Sequence, residues 1–247
     1  MLETITAFGS KTNLTESRDF ESLVSLLSTS PKQSVFFCNV HMLMLSQEDS
    51  KLADAMDKAG CVFADSAPVA WLQRRISGKD AKVIPGYKIT LAICDQAARN
   101  GEKIGFLGST PEVMNQLVHN LSARYGGLPV AYQYCPPFME GELVSTADEL
   151  QAIKDSGVQW LFVGLGCPKQ EKWVATYADK LGCHTLAVGA AFDWLSGSVK
   201  KPPDWMERFG LAWVFRLLNN PRKMWSRYLI YNTKFIIRAG VFLIRGK

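Results

Sequence analysis

Six apolar runs of strand length, alternating with segments of helical period, set the tightest limit on what this chain can fold into. The runs are SVFFCNV (34–40), CVFA (61–64), KIGFLGS (103–109), PVAYQYC (129–135), QWLFVGLG (159–166) and HTLAVGAAF (184–192). Helical patterns fall between them near 47–59, 66–77, 88–100, 111–125, 145–156 and 169–182. The runs are continuous rather than alternating, the pattern of strands covered on both faces. Strand–helix–strand repetition of this kind predicts an α/β fold on a mainly parallel sheet with helices on both faces. Ligands in such sheets sit in the crevice beyond the carboxyl ends of the strands. The residues that close each strand are therefore the place to look for chemistry.

Composition agrees with a globular chain. At 247 residues it can bury about 70–75 % of its unfolded surface, and 47 % hydrophobic against 21 % charged residues excludes global disorder. The six cysteines include no C-x-x-C pair and read as buried reduced thiols. The first twenty residues show no basic stretch leading into an apolar one, so the expectation is a cytosolic compartment.

The strand ends carry the candidates. Asn39 and His41 close the first run, Asp65-Ser66-Ala67-Pro68 follows the second, and Gly108-Ser109-Thr110-Pro111 follows the third. In the last of these, Ser109 or Thr110 can cap a helix that Pro111 begins. The strongest local signal is Gly164-Leu165-Gly166-Cys167-Pro168-Lys169-Gln170-Glu171. Two glycines allow close backbone approach, Pro168 suits a first helical turn, and a helix N-terminus attracts phosphate through its unpaired N–H groups and dipole. Lys169 adds a positive charge, while Gln170 and Glu171 can cap the helix or contact a ligand. The spacing matches neither the dinucleotide fingerprint nor the nucleoside-triphosphate loop, and a tight structural turn is the competing reading.

Asp65 has two readings as well: an N-cap for the following helix, or a carboxylate at the crevice able to act as a general base on a hydroxyl. His119 and His184 read as a helix-surface and a strand-start residue. His, Cys and acidic residues show no metal-ligand spacing.

Charge divides the chain in two. Residues 1–199 hold 17 Lys and Arg against 21 Asp and Glu, a net of −4, whereas residues 200–247 hold 11 against 2, a net of +9. Lys200-Lys201-Pro202-Pro203 marks the boundary between a body (1–199) and a C-terminal appendage (200–247). Helical spacing spans 204–219 and, after Pro221, 222–244. In the second stretch Trp225, Tyr228, Leu229, Phe235, Ile236, Phe242 and Leu243 recur at three- and four-residue steps, with Lys223, Arg227, Lys234, Arg238 and Arg245 on another side. Lys234 and Arg238 interrupt any spanning segment. A basic, aromatic-rich amphipathic helix suits an anionic bilayer surface; packing on the body or on another subunit is the alternative.

These residues together resemble the WecG/TagA/CpsF family of bacterial glycosyltransferases. The likeness runs from about Asn39 to Arg227, and is most specific at Gly164–Glu171, at GAAFDWLSG (189–197) and at KKPPDWMERFGLAWVFRL (200–217). The resemblance implies a Rossmann-like body whose basic helical appendage contacts the membrane and closes over the site. It implies inverting transfer of a sugar, without cofactor or metal, from a UDP-sugar to a polyprenyl-diphosphate-linked acceptor in surface or exopolysaccharide synthesis. The protein would then sit peripherally on the cytoplasmic face of the membrane, with no nucleic-acid partner; a homo-oligomer stays open. Asp65 takes the place of the family's proposed base, Gln170 that of a glutamine near donor and acceptor, and Arg216 that of the first arginine thought to neutralise the diphosphate.

The pattern is broken in places. Ser66 follows the Asp in place of Gly, and R-x-x-G-x-D becomes Val83-Ile84-Pro85-Gly86-Tyr87-Lys88. Ala212 replaces a Glu, Lys223 and Ser226 hold later arginine places beside Arg222 and Arg227, and Cys38 stands where Thr is common. The expected ligand-binding set is Asn39, Gly108, Gly164, Gly166, Pro168, Lys169, Gln170, Glu171, Arg216, Arg222, Lys223 and Arg227, with Asp65 catalytic. A departing diphosphate needs cations and N–H donors where no metal serves. The alternative is a non-catalytic nucleotide-sugar or anion-binding module of a membrane-associated complex.

Overall fold

The computed structural model describes residues 2–137, 139–203, 205–206, 212–219 and 221–245, without the side chains of Ala212, Arg216, Arg222, Lys223, Met224, Ser226, Arg227 and Arg245. The chain opens with strands β1 (Glu3–Ala7) and β2 (Ser10–Leu14), helix α1 (Phe20–Thr29), β3 (Ser34–Cys38), α2 (Val40–Leu45) and α3 (Ser50–Lys58). It continues through β4 (Cys61–Ala64), α4 (Ala67–Ser77), α5 (Gly86–Asn100), β5 (Ile104–Gly108), α6 (Pro111–Tyr125), β6 (Val130–Tyr134) and α7 (Ala147–Ser156). Then come β7 (Trp160–Gly164), α8 (Lys169–Leu181), β8 (His184–Ala187), α9 (Ala191–Ser196), α10 (Ala212–Asn219) and α11 (Pro221–Arg245).

The strands form one sheet in the order β1-β2-β4-β3-β8-β7-β5-β6. Among the described residues, only β1 and β2 pair antiparallel; the other pairings are parallel. Strand side chains alternate between two cores. In β7, Trp160 and Phe162 enter one core while Leu161 and Val163 enter the other; in β3, Val35 and Phe37 oppose Phe36 and Cys38. The first core is roofed by α1, α5, α6 and α9, the second by α2, α3, α4, α7, α8 and one side of α11. Burial of each such Leu or Phe stabilises the fold by about 1.5–3 kcal/mol, which explains why the runs are apolar without alternation.

Helix starts follow the sequence closely. Asp19, Asn39, Asp49, Thr110 and Thr146 each accept an amide N–H from the third residue on. Some expectations need correction. The pattern at 47–59 holds one helix, α3, which starts at Ser50 because Asp49 caps it; the residues before Asp49 form the turn that follows α2. The run 184–192 stops as a strand at Ala187, and its last residues enter α9. At the sheet edge β6 alternates half-buried and exposed residues, as expected for a strand paired on one side.

The last helix, α11, lies along the body. Phe8, in the β1–β2 turn, meets Phe235 and Phe242 edge-on at 5.9 and 6.3 Å. Tyr231 meets the His41 ring of α2 at 4.6 Å. Arg238 donates to Gln47 Oε1 at 2.7 Å, and Lys234 pairs with Glu48. Trp225, Leu229, Ile236, Ile237 and Ile244 remain exposed. The helix thus has a docked side, a basic edge and an outward apolar side, where the sequence had offered bilayer contact and packing as alternatives. Among the described residues, no helix is long and apolar enough to cross a membrane.

Candidate functional site

The carboxyl ends of β3, β4, β5, β7 and β8 meet the N-termini of α2, α5 and α8 along one edge of the sheet. Asp65 stands at this edge directly after β4. Its backbone N–H donates to the Cys38 carbonyl at 2.8 Å, extending the β3–β4 pairing by one residue. Its carboxylate Oδ1 accepts the Gly86 N–H at 3.1 Å, which ties it to the first residue of α5. The N-cap reading of Asp65 is not realised: the α4 N-cap position belongs to Ser66, which makes no side-chain capping bond.

Cys38 closes β3 and is fully buried. Burial raises its thiol pKa far above the ordinary value, and the charges of Asp65 and Glu171 raise it further. It is therefore a neutral thiol, and it marks where the two carboxylates converge. Asn39 follows, its side-chain oxygen capping α2 through the Met42 N–H at 3.1 Å.

The Gly164–Glu171 segment is built from the inside. A Cβ on Gly108 would lie 2.5 Å from the Gly164 carbonyl oxygen, and one on Gly164 2.6 Å from the Phe192 ring. Glycine at these two positions is therefore explained by close strand and helix approach. Ser109 donates its N–H to the Gly164 carbonyl at 3.2 Å. The Gly166 N–H is taken by Gln170 Oε1 at 3.1 Å, and Gln170 Nε2 donates to Glu171 Oε1 at 2.8 Å. Gln170 and Glu171 are 4 % and 1 % exposed. Gln170 thus braces the turn from below, and the Gly166 amide, expected to face the crevice, is engaged. Pro168 sits at the N-cap of α8 after a cis peptide bond. Lys169 Nζ donates to the Met139 carbonyl at 2.7 Å, joining the turn to the loop after β6.

The structure brings Asp65, Asn39, Gly108 and the Gly164–Glu171 turn to one edge. Arg216 lies in α10, and Arg222, Lys223 and Arg227 lie in α11, but their side chains are outside the described residues. Sequence reading named Tyr87 and Lys88 only within a break in the family pattern and did not place them in a wall beside Asp65. There Tyr87, 5 % exposed, packs edge-on against Trp194 at 5.4 Å. Lys201 Nζ lies 4.7 Å from the Tyr87 ring centre, and Lys88 Nζ lies 5.9 Å from it and 5.8 Å from that of Phe20. The available signal was a Lys in the first turn of a helix, where the dipole disfavours it. Among the described residues, no three His, Cys, Asp or Glu side chains group as metal ligands.

The model of the glycosyl transferase WecG/TagA/CpsF family matches residues 6–246. Similar individual proteins share the name N-acetylglucosaminyldiphosphoundecaprenol N-acetyl-beta-D-mannosaminyltransferase. The one from Bacillus subtilis (strain 168) is 25 % identical over 192 residues, 77 % of this chain and 73 % of its own length. That from Bacillus spizizenii (strain ATCC 23059 / NRRL B-14472 / W23) is 24 % identical over 185 residues, 74 % and 70 %. That from Staphylococcus aureus (strain NCTC 8325 / PS 47) is 26 % identical over 166 residues, 67 % and 63 %.

Proposed function

The chain belongs to the WecG/TagA/CpsF family of glycosyl transferases, and on that footing we propose that it moves a hexosyl or N-acetylhexosaminyl residue from a UDP-sugar to a polyprenyl-diphosphate-linked glycan, with inversion. The observation that carries the mechanism is the Asp65 carboxylate at the end of β4, held by the Gly86 amide. The names of the relatives support the acceptor class, an N-acetylglucosaminyl diphosphoundecaprenol. They also make N-acetylmannosamine a natural first candidate for the transferred sugar.

In this reading Asp65 accepts the proton of the acceptor hydroxyl, worth about 10²–10⁴-fold in rate. The hydroxyl oxygen bonds to the anomeric carbon as the bond to UDP breaks. Its electron pair leaves with the diphosphate, and one displacement inverts the centre. The positive end of α8 faces the developing charge. Arg216, Arg222, Lys223 and Arg227 supply further cations; arginine suits bidentate phosphate contact better than lysine. Gln170 keeps the turn in shape, and no metal is required.

Residues 1–199 form the catalytic body and 200–247 the appendage that carries the cations. The exposed apolar side of α11 rests on the cytoplasmic membrane face, where a lipid-linked acceptor resides, and the protein is peripheral there. A screen of UDP release across UDP-sugars, with a short-chain polyprenyl-diphosphate glycan as acceptor, tests the reading. Release from one donor, dependent on that acceptor and indifferent to a chelator, is expected. No acceptor-dependent release from any donor, or complete loss with chelator, overturns it.

A further inference from the structure

We infer that the Ser109 hydroxyl hydrogen-bonds the ribose of the donor nucleotide, at the end of the site away from Asp65. The inference deepens the proposed donor reading and rests on it.

Backbone conformation is the first argument. Ser109 directly follows β5 and has a φ of +63°, in the left-handed region. That region crowds the Cβ of any residue other than glycine. Among the described residues, the other non-glycine residue with positive φ is Phe8, whose ring meets Phe235 and Phe242 of α11. Ser109 is fixed where it is: its N–H donates to the Gly164 carbonyl at 3.2 Å, and Gly108 before it fits closely against that same carbonyl. Helix capping does not account for the residue, because Thr110 caps α6 through the Val113 N–H. Ser109 is half-buried, and among the described residues its hydroxyl has no hydrogen-bond partner. A residue held in a costly conformation, with a side chain that serves no bond in the fold, is the kind that recurs at ligand clamps.

Position along the sheet edge is the second. Gly108 lies opposite Gly164 in the register of β5 on β7, so Ser109 stands beside the turn that leads into α8. The sheet runs β4-β3-β8-β7-β5 between the Asp65 end and Ser109. Four strand spacings separate the two by about 19 Å. In the proposed reading the anomeric carbon lies at Asp65 and the diphosphate at the start of α8, which follows β7. The next group along a nucleotide sugar is the ribose, and the next strand along the edge is β5. Ribose oxygens suit a serine hydroxyl as acceptors and donors. Glu112, in the first turn of α6, disfavours a phosphate at this end.

The test is isothermal titration of the 247-residue protein, Ser109→Ala and Ser109→Gly with UDP, 2′-deoxy-UDP and 3′-deoxy-UDP, together with melting temperatures. Ala keeps the crowded backbone and removes the hydroxyl; Gly relieves the crowding as well. Both variants are expected to bind UDP about threefold or more weakly. One deoxy compound should bind the unaltered protein less well than UDP does, and that difference should vanish in Ser109→Ala. Ser109→Gly should melt no lower than the unaltered protein. A smaller loss of UDP affinity, or a deoxy penalty that is absent from the unaltered protein or undiminished in Ser109→Ala, overturns the ribose contact and leaves the donor reading in place. A lower melting temperature in Ser109→Gly also overturns it, since the residue then serves the fold. An unaltered protein that binds no UDP overturns the donor reading, and the ribose contact with it.

Discussion

The Gly86 amide donates to Asp65 Oδ1 at 3.1 Å, so one oxygen of the carboxylate is held by the main chain of α5. Asn in this place keeps an oxygen for that bond and loses the charge. Asp65→Asn is expected to lower turnover by about 10²–10⁴-fold with an unchanged melting temperature and unchanged UDP affinity. Full turnover in this variant would remove Asp65 from the mechanism.

Gln170 serves two partners at once, accepting from the Gly166 amide and donating to Glu171. Gln170→Ala removes the bond that shapes the exposed Gly166 turn and takes one donor from the buried Glu171, at about 1–3 kcal/mol for the buried group. Melting should fall by several degrees, and UDP should bind more weakly as the turn loosens. A variant that melts normally but binds no UDP would instead make Gln170 a direct ligand contact.

His184 is fully buried at the start of β8, stacked on Trp160 with ring centres 4.4 Å apart, and neither ring nitrogen has a hydrogen-bond partner among the described residues. Burial lowers its pKa from 6.5 to about 4. Between these values the unfolded chain takes up a proton that the folded chain refuses. Stability is therefore complete above about pH 6.5, falls as pH drops towards 4, and levels off below. The loss is on the order of 3 kcal/mol. His184→Phe should flatten this part of a urea-midpoint profile between pH 7 and 4; an equally steep profile would place the acid sensitivity elsewhere.

Two changes separate the sides of α11. Phe235 is 7 % exposed and touches Phe8. Phe235→Ala, at about 3–5 kcal/mol for a buried Phe, should free the helix and raise hydrogen exchange across 221–245, leaving the sheet protected. The double change Ile236→Asp, Ile237→Asp falls on exposed positions. It should leave melting unaltered and reduce sedimentation with anionic vesicles. Undiminished sedimentation would mean that the apolar side is not the membrane contact.

The parallel sheet was legible because both faces of each inner strand are roofed, which leaves Phe36, Phe63, Phe106 and Phe162 in unbroken apolar runs. The hairpin β1–β2 was not, since β2 is polar: Ser10, Thr12 and Asn13 are buried but spend their side chains on hydrogen bonds. The short helix α2 was hidden because Val40–Leu45 prolongs an apolar run, with Asn39 as the sole sign of a start. The turn at Gly164 was found through its glycines and proline. The inward role of Gln170 was not, because spacing places a residue on a helix without saying which neighbour its amide will meet. The same holds for Lys88 and Lys201, which lie far apart in the chain and meet at one ring.

A helix gripped along one flank cannot roll. Phe8, His41, Gln47 and Glu48 hold α11 at four points, so Trp225, Ile236 and Ile244 keep one bearing relative to the sheet edge. The helix acts as a keel. Any broad surface that meets it meets the enzyme at a set tilt, and under the proposed function a substrate anchored in that surface would approach Asp65 from one direction only.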